Sequence, residues 1–445
     1  MRDGAGVGKA AFPVRVTSEV GRLRRALVHE PGREIDLMVP SMMQELLFDD
    51  ILHGETARSE HRLFRKVLRR LGVEAIEALD LLSETLATPE GRGWVETRVQ
   101  PHLLPEFRER IGAMDPAEMA QALVGGIRRH PVDPARVRET LFGVRPLPNW
   151  CFQRDTQVVL GRGVLFSAMA TSARHREALL SEAIFRFHPS FEGTPVFPEI
   201  GSETLVGASA GALPGTPSGG REERDPVTLE GGDVLVLSEE VIVVGGSERT
   251  TAGGIEALVR SLARRDGAPR RLLRVELPRK RAYMHLDTLF TPVSPDACLV
   301  FPPVILPGHP DTAEVWEYDL HSSEPAPEWR GDLPSALAHL GFSFDPIPCG
   351  GSDPMHQQRE QWTDGANALA VAPGVVILYD RNVRTAEEMD RRGYRVIGAE
   401  ELLAEPEGPE GEGPRRRCIL VASNELSRAR GGPHCLTHPL ERDPI

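Results

Sequence analysis

Residues Asp233 to Gly246 read DVLVLSEEVIVVGG, two apolar β-branched runs about a polar Ser-Glu-Glu step. Runs of that length and composition predict two strands joined by a tight turn. The pattern IEALVRSLARR (Ile255 to Arg265) then repeats apolar residues at helical spacing, and RLLRVELP (Arg271 to Pro278) predicts a third strand stopped by proline. The unit is therefore strand, strand, helix, strand.

The unit recurs, and a recurring unit decides the fold. TQVVLGRGVLFSAM (Thr156 to Met169) is a second hairpin with Gly161 and Gly163 at its turn, followed by the helical HREALLSEAIFRF. HLDTLFTPVSPDACLVFP (His285 to Pro302) is a third, turning at Ser-Pro-Asp. ALAVAPGVVILYD (Ala368 to Asp380) turns at Pro373 and Gly374, with AEEMDRRG as helix and YRVIGA as strand after it. The opening RLRRALVHEP, the helix ARSEHRLFRKVLRRLG and the strand VEAIEAL make a fifth, less regular copy. Residues 78–143 break the pattern: LLSETL, RVQPHLLPEFRERIG, AEMAQALVGGIRRH and ARVRETLFG show helical spacing punctuated by proline. These predict an inserted α-helical domain at 78–143 within a catalytic domain of 1–77 and 144–445. Two Gly/Pro/charge-rich stretches, Ala208 to Asp225 and Glu405 to Arg417, predict surface loops.

Composition limits the chemistry. Of 445 residues, 65 are Asp or Glu against 52 Lys or Arg, which argues against a nucleic-acid partner and is compatible with a small cationic ligand. Neither a signal peptide nor a run of about 18 apolar residues is present, so a cytoplasmic protein without membrane contact is expected. Cys151, Cys298, Cys349, Cys418 and Cys435 are odd in number and lack CxxC spacing, against both a disulfide framework and a zinc site. Cysteine chemistry here would use a free thiol.

Polar residues gather at the ends of the units. PLPNWCFQRDT carries Asn149 and Asp155, LEGGDV carries Glu230 and Asp233, and SERTT places Arg249 at a hairpin's end. In MHLDT the i, i+2 spacing predicts His285 and Asp287 on one face of a strand. Near the C-terminus, RGGPHCLTHP holds Cys435 behind Gly431 and Gly432, which predict a flexible loop. A thiol needs nearby positive charge to ionise at neutral pH. Several carboxylates suit a planar cation, whose N–H fork they accept bidentately, and a bound guanidinium would itself lower the thiol pKa. The set points to a cysteine hydrolase of a guanidino amino acid.

Seven stretches, in order, carry a resemblance: VHEPGREIDLMVPSMMQELLFDDI, PLPNWCFQRDT, LEGGDV, SERT, MHLDTLF, REQWTDGANALAVAPGVVILYDRN and ELSRARGGPHC. The chain resembles the arginine deiminases of the guanidino-group modifying, or pentein, superfamily nearly end to end. The resemblance implies an α/β fold, a fivefold pseudosymmetric β/α propeller of ββαβ units with a helical insertion. It implies hydrolysis of L-arginine to L-citrulline and ammonia, in arginine catabolism, through a covalent S-alkylthiouronium. Cys435 would be the nucleophile, His285 the proton donor and then the base, and Glu230 its assistant. Asp155 and Asp287 would hold the guanidinium; Asn149, Arg174, Arg249 and Asp233 would bind substrate. No metal or organic cofactor is expected, and a homo-oligomer, dimer or tetramer, is. Gln153, Ala429 and Pro433 depart from the family pattern. A methylarginine hydrolase, an amidinotransferase and a pentein binding protein without turnover are the alternatives.

Overall fold

The protein is described from a computed structural model, over residues 12–99, 103, 105–132, 141–197, 226–263, 265–406 and 416–445. The stretch read first is the hairpin it promised. Val234–Val236 and Val241–Gly246 pair antiparallel, with Leu235 opposite Val243. The Ser238 hydroxyl accepts from the Glu240 and Val241 amides and so closes the turn. The helix Ala252–Leu262 follows, its N-terminus capped by the Thr251 hydroxyl, which accepts from the Gly254 amide at 3.2 Å. Arg271–Glu276 then returns parallel to the second hairpin strand. Two strands unread in the sequence, Glu314–Asp319 and Glu328–Gly331, widen this sheet to five.

The other units repeat the plan. Phe290–Ser294 and Ala297–Val300 form a hairpin, and Asp345–Pro348 lies parallel to the latter after the helix Leu333–His339. Gln157–Leu160 and Gly163–Phe166 pair, the helix His175–Phe187 follows, and Val196 bridges in parallel to Val164. In the last unit Leu369–Ala372 pairs with Val375–Tyr379, but the strand parallel to the latter is Arg417–Val421. Arg395–Gly398, the YRVIGA strand, is displaced to the sheet edge. The first unit is completed from the far end of the chain: Leu23–Val28 has Glu74–Glu77 parallel on one side and His438–Arg442 antiparallel on the other. Each unit thus has an antiparallel strand pair with a parallel partner beside it, reduced to a single bridge at Val196 in one unit and with the pair drawn from the two ends of the chain in another, and most of the hairpin strands are buried along their whole length.

Helices Ala78–Leu86, Pro89–Val99, Pro105–Gly112 and Pro116–Gly125 occupy the predicted insertion. Their apolar side chains, among them Leu82, Val95 and Leu123, share one core with Leu180 and Ile184 of the His175–Phe187 helix. The end of that stretch is corrected: Phe142–Val144 is a strand paired with Ile127–Arg128, where helix was expected. A strand there shields Phe142 against the adjoining core. Residues 133–140 and the loops expected at 208–225 and 407–415 lie outside the described residues. Among the described residues, no helix is long and apolar enough to cross a membrane.

Candidate active site

Four of the candidate residues, Asp155, Glu230, His285 and Cys435, occupy comparable places, each just before a strand, whereas Arg174 and Arg249 follow the second strand of their hairpins. Asp155 precedes Gln157–Leu160, Glu230 opens the short 3-10 turn ahead of Val234–Val236, and His285 opens the turn ahead of Phe290–Ser294. Cys435 precedes His438–Arg442, the strand that closes the first unit. The fifth place, before Leu369–Ala372, holds Asp364 and Asn367.

Two buried groups of contacts form the site. In one, the His285 Nε2 lies 2.9 Å from a Glu230 oxygen and its Nδ1 lies 3.7 Å from Asp155. Arg174 donates from one nitrogen to Asp155 at 2.9 Å and lies 3.5 Å from Glu230. Arg249 lies 4.0 Å from the other Glu230 oxygen. In the second group the Cys435 sulfur lies 3.5 Å from Asp287, which also faces His434 Nδ1 at 2.8 Å. The His434 Nε2 reaches Glu19 at 3.2 Å, and the Asn367 side chain accepts the Cys435 amide at 3.1 Å. His285, Asp287 and Cys435 are all less than 5 % exposed.

The two remaining candidates are committed elsewhere. Asp233 accepts from the Leu286 amide at 2.9 Å and from the Ser247 hydroxyl at 2.6 Å, tying the turn of His285 to the neighbouring unit. Asn149 donates to the Leu46 carbonyl at 2.5 Å. Arg176, the neighbour most easily confused with Arg174, donates to the Arg145 carbonyl instead.

Two local expectations are corrected. His285 and Asp287 do not share a strand face: His285 is extended, whereas Asp287 sits within the 3-10 turn Leu286–Thr288. The turn sends His285 toward Glu230 and Asp287 toward Cys435, which a strand could not do. Gly431 and Gly432 are not the left-handed residues of their loop; Arg430 is, at φ 65°. Their smallness serves close packing. A Cβ on Gly431 would lie 2.3 Å from the Phe152 ring, and one on Gly432 would lie 2.5 Å from the Asn367 carbonyl oxygen.

Electrostatics follow from this burial. Burial pulls the imidazole of His285 down, but Asp155 and Glu230 outweigh it and raise its pKa to about 9. Burial pushes Glu230 up, but His285, Arg174 and Arg249 hold it well below the usual carboxylate range. Burial and the carboxylates Asp287, Asp155 and Asp364 push the Cys435 thiol well above its ordinary value. A cation joining the site would bring it back down. Asp155 Oδ1 and Asp287 Oδ1 are buried without a hydrogen-bond partner, as are one nitrogen each of Arg174 and Arg249. Buried polar atoms are normally paired, so these unpartnered acceptors and donors are groups that a ligand with both cationic and anionic parts could satisfy. Ligand atoms of Asp155, Glu230 and His285 lie within 4.8 Å of one another, a spacing that could also accept a metal ion.

Sequence reasoning left out Glu19 and Asn367 and gave His434 no part. Asn367 lies inside a quoted motif, and its side chain could have been weighed as a holder of the cysteine loop. Glu19, flanked by Ser18 and Val20 far from every motif, carries no such signal.

The architecture is similar to that of a known protein. An amidinotransferase of saxitoxin biosynthesis from Microseira wollei superposes with a TM-score of 0.53 at 15% identity, covering 98% of this chain and 98% of that one. The inosamine-phosphate amidinotransferase of Streptomyces griseus gives 0.49 at 14% identity, covering 97% of each chain. A dimethylarginine dimethylaminohydrolase of Pseudomonas aeruginosa bound to citrulline gives 0.48 at 15% identity, covering 94% of this chain and 99% of that one. The fold is that of the pentein superfamily, enzymes acting on guanidino groups. The arginine deiminase family model matches residues 44–205 and 216–442, and the chain belongs to that family.

Proposed function

We propose that this protein is an arginine deiminase, hydrolysing L-arginine to L-citrulline and ammonia in arginine catabolism. The observation that carries this is the pair of unpartnered carboxylate oxygens, on Asp155 and Asp287, buried beside His285 and Cys435. A guanidinium supplies the N–H donors those oxygens lack, and its charge lowers the pKa of the thiol it is about to meet. Free donors on Arg174 and Arg249 suit the α-carboxylate at the other end.

The Cys435 thiolate attacks the guanidinium carbon and forms a C–S bond. The tetrahedral adduct collapses as the C–N bond to one terminal nitrogen breaks, and His285, held protonated by Glu230, gives that nitrogen the proton with which it leaves as ammonia. The S-alkylthiouronium remains. Neutral His285 then takes one proton from a water that attacks the same carbon, the C–S bond breaks as the second water proton passes to solvent, where it makes ammonium of the ammonia released, and citrulline departs with the thiolate restored. Asp155 and Asp287 hold the guanidinium nitrogens through both halves, and the same carboxylates compensate the charge.

The test is direct. Rapid acid quench with L-arginine should trap a covalent adduct on Cys435 by mass spectrometry, and Cys435→Ser should abolish both adduct and citrulline. Citrulline formed from dimethylarginine with none from L-arginine would overturn the choice of substrate.

A further inference from the structure

Arg174 is shared among three carboxylates, and the third has no part in the chemistry above. Glu177 stands one helical turn beyond Arg174, in the first turn of His175–Phe187, and its oxygen takes the Arg174 Nε at 2.9 Å. Among the described residues Arg174 is the hydrogen-bond partner of this carboxylate, which is 1 % exposed. Burying a carboxylate is costly, and here burial raises the Glu177 pKa to about 7 although Arg174 opposes it. A buried carboxyl group whose oxygen fixes the Nε of a site arginine bears on where that guanidinium points.

We propose that Glu177 is a specificity-determining positioning residue: by holding the Arg174 Nε it aims the free Arg174 nitrogen at the substrate's α-carboxylate. The inference rests on the L-arginine reading. A guanidinium has a planar fork of donors, and two of its edges can meet a carboxylate side-on. Free to turn, Arg174 would offer both terminal nitrogens to Asp155 and Glu230 and neutralise the groups that the substrate's guanidinium and His285 require. With Nε taken by Glu177, one terminal nitrogen is spent on Asp155 and Glu230, and the other is buried without a partner. Arg174 then separates the two ends of the ligand pocket instead of filling one of them.

The test is equilibrium binding to the unreactive Cys435→Ser protein, comparing L-arginine with L-argininamide, in which the carboxylate is a neutral amide. Loss of one charge-assisted contact predicts that Glu177→Gln weakens L-arginine by about tenfold or more and leaves L-argininamide within about twofold. Glu177→Asp, which keeps the charge one methylene short, should fall between and stands in if Glu177→Gln melts early. In Arg174→Gln protein, adding Glu177→Gln should cost nothing further, since both act through one contact. Equal weakening of both ligands, or of neither, overturns the proposal. Failure of Cys435→Ser protein to bind either ligand would instead sink the L-arginine reading, and the inference with it.

Discussion

At the scale of the residue, the site works by denying several groups the state they would hold in water. His285 stays protonated to about pH 9 because Asp155 and Glu230 outweigh its burial. It can therefore donate a proton at neutral pH, and turnover should fall as pH rises through that value. His285→Ala should cost on the order of 10²–10⁴-fold in kcat, the usual worth of a positioned acid. Glu230→Gln removes a raising influence, so the alkaline limb of the kcat profile should move to lower pH; an unmoved limb would take His285 out of that role. The sequence named Cys435, His285, Glu230, Asp155 and Asp287 because their types and motifs carry chemical meaning. It could not separate Arg174 from Arg176 by composition; burial and partners do.

At the scale of the element, what decides geometry is the short turn ahead of each strand. The strands themselves were legible, since alternation, β-branching and turn residues mark Val234–Val236 and Val241–Gly246 unmistakably. The 3-10 turns were not, because three residues leave no period to read. Gly231 and Gly232 show why their motif has no side chains: a Cβ on Gly231 would lie 2.0 Å from the Arg154 carbonyl oxygen, and on Gly232 2.6 Å from the His285 Nδ1. Gly232→Ala must therefore displace His285 or its turn. Because misplacing a catalytic group by about 1 Å can cost about 10²-fold, kcat should fall by about that factor while the protein still unfolds cooperatively. Wild-type kcat in that variant would mean His285 has room to spare.

At the scale of the whole molecule, the chain closes on itself, and the closing strand immediately follows the proposed nucleophile. His438–Arg442 pairs with Leu23–Val28, and buried Arg442 donates to the carbonyls of Gly21 and Ala370 at 2.7 and 2.8 Å. Deleting residues 438–445 should remove the cooperative thermal transition altogether, since it strips an edge from a core sheet and leaves those carbonyls unpaired. Deleting only Pro444 and Ile445, both exposed, should leave the transition in place. A cooperative melt of the shorter chain at the wild-type midpoint would refute the closure. The sequence by itself determined the recurring hairpin-and-helix pattern and the helices between the first and second units, and its residue types marked the candidates for the proposed guanidine chemistry, because periodicity and residue type are local properties. Only the tertiary structure decided that the last strand completes the first unit, that Glu19, Asn367 and His434 hold the cysteine loop, and that Glu177 holds Arg174. The strand closure joins residues as far as 419 positions apart, Leu23 opposite Arg442, and no local pattern encodes a meeting at that separation; Glu177 is only three residues from Arg174, but the burial that commits the pair to each other is tertiary.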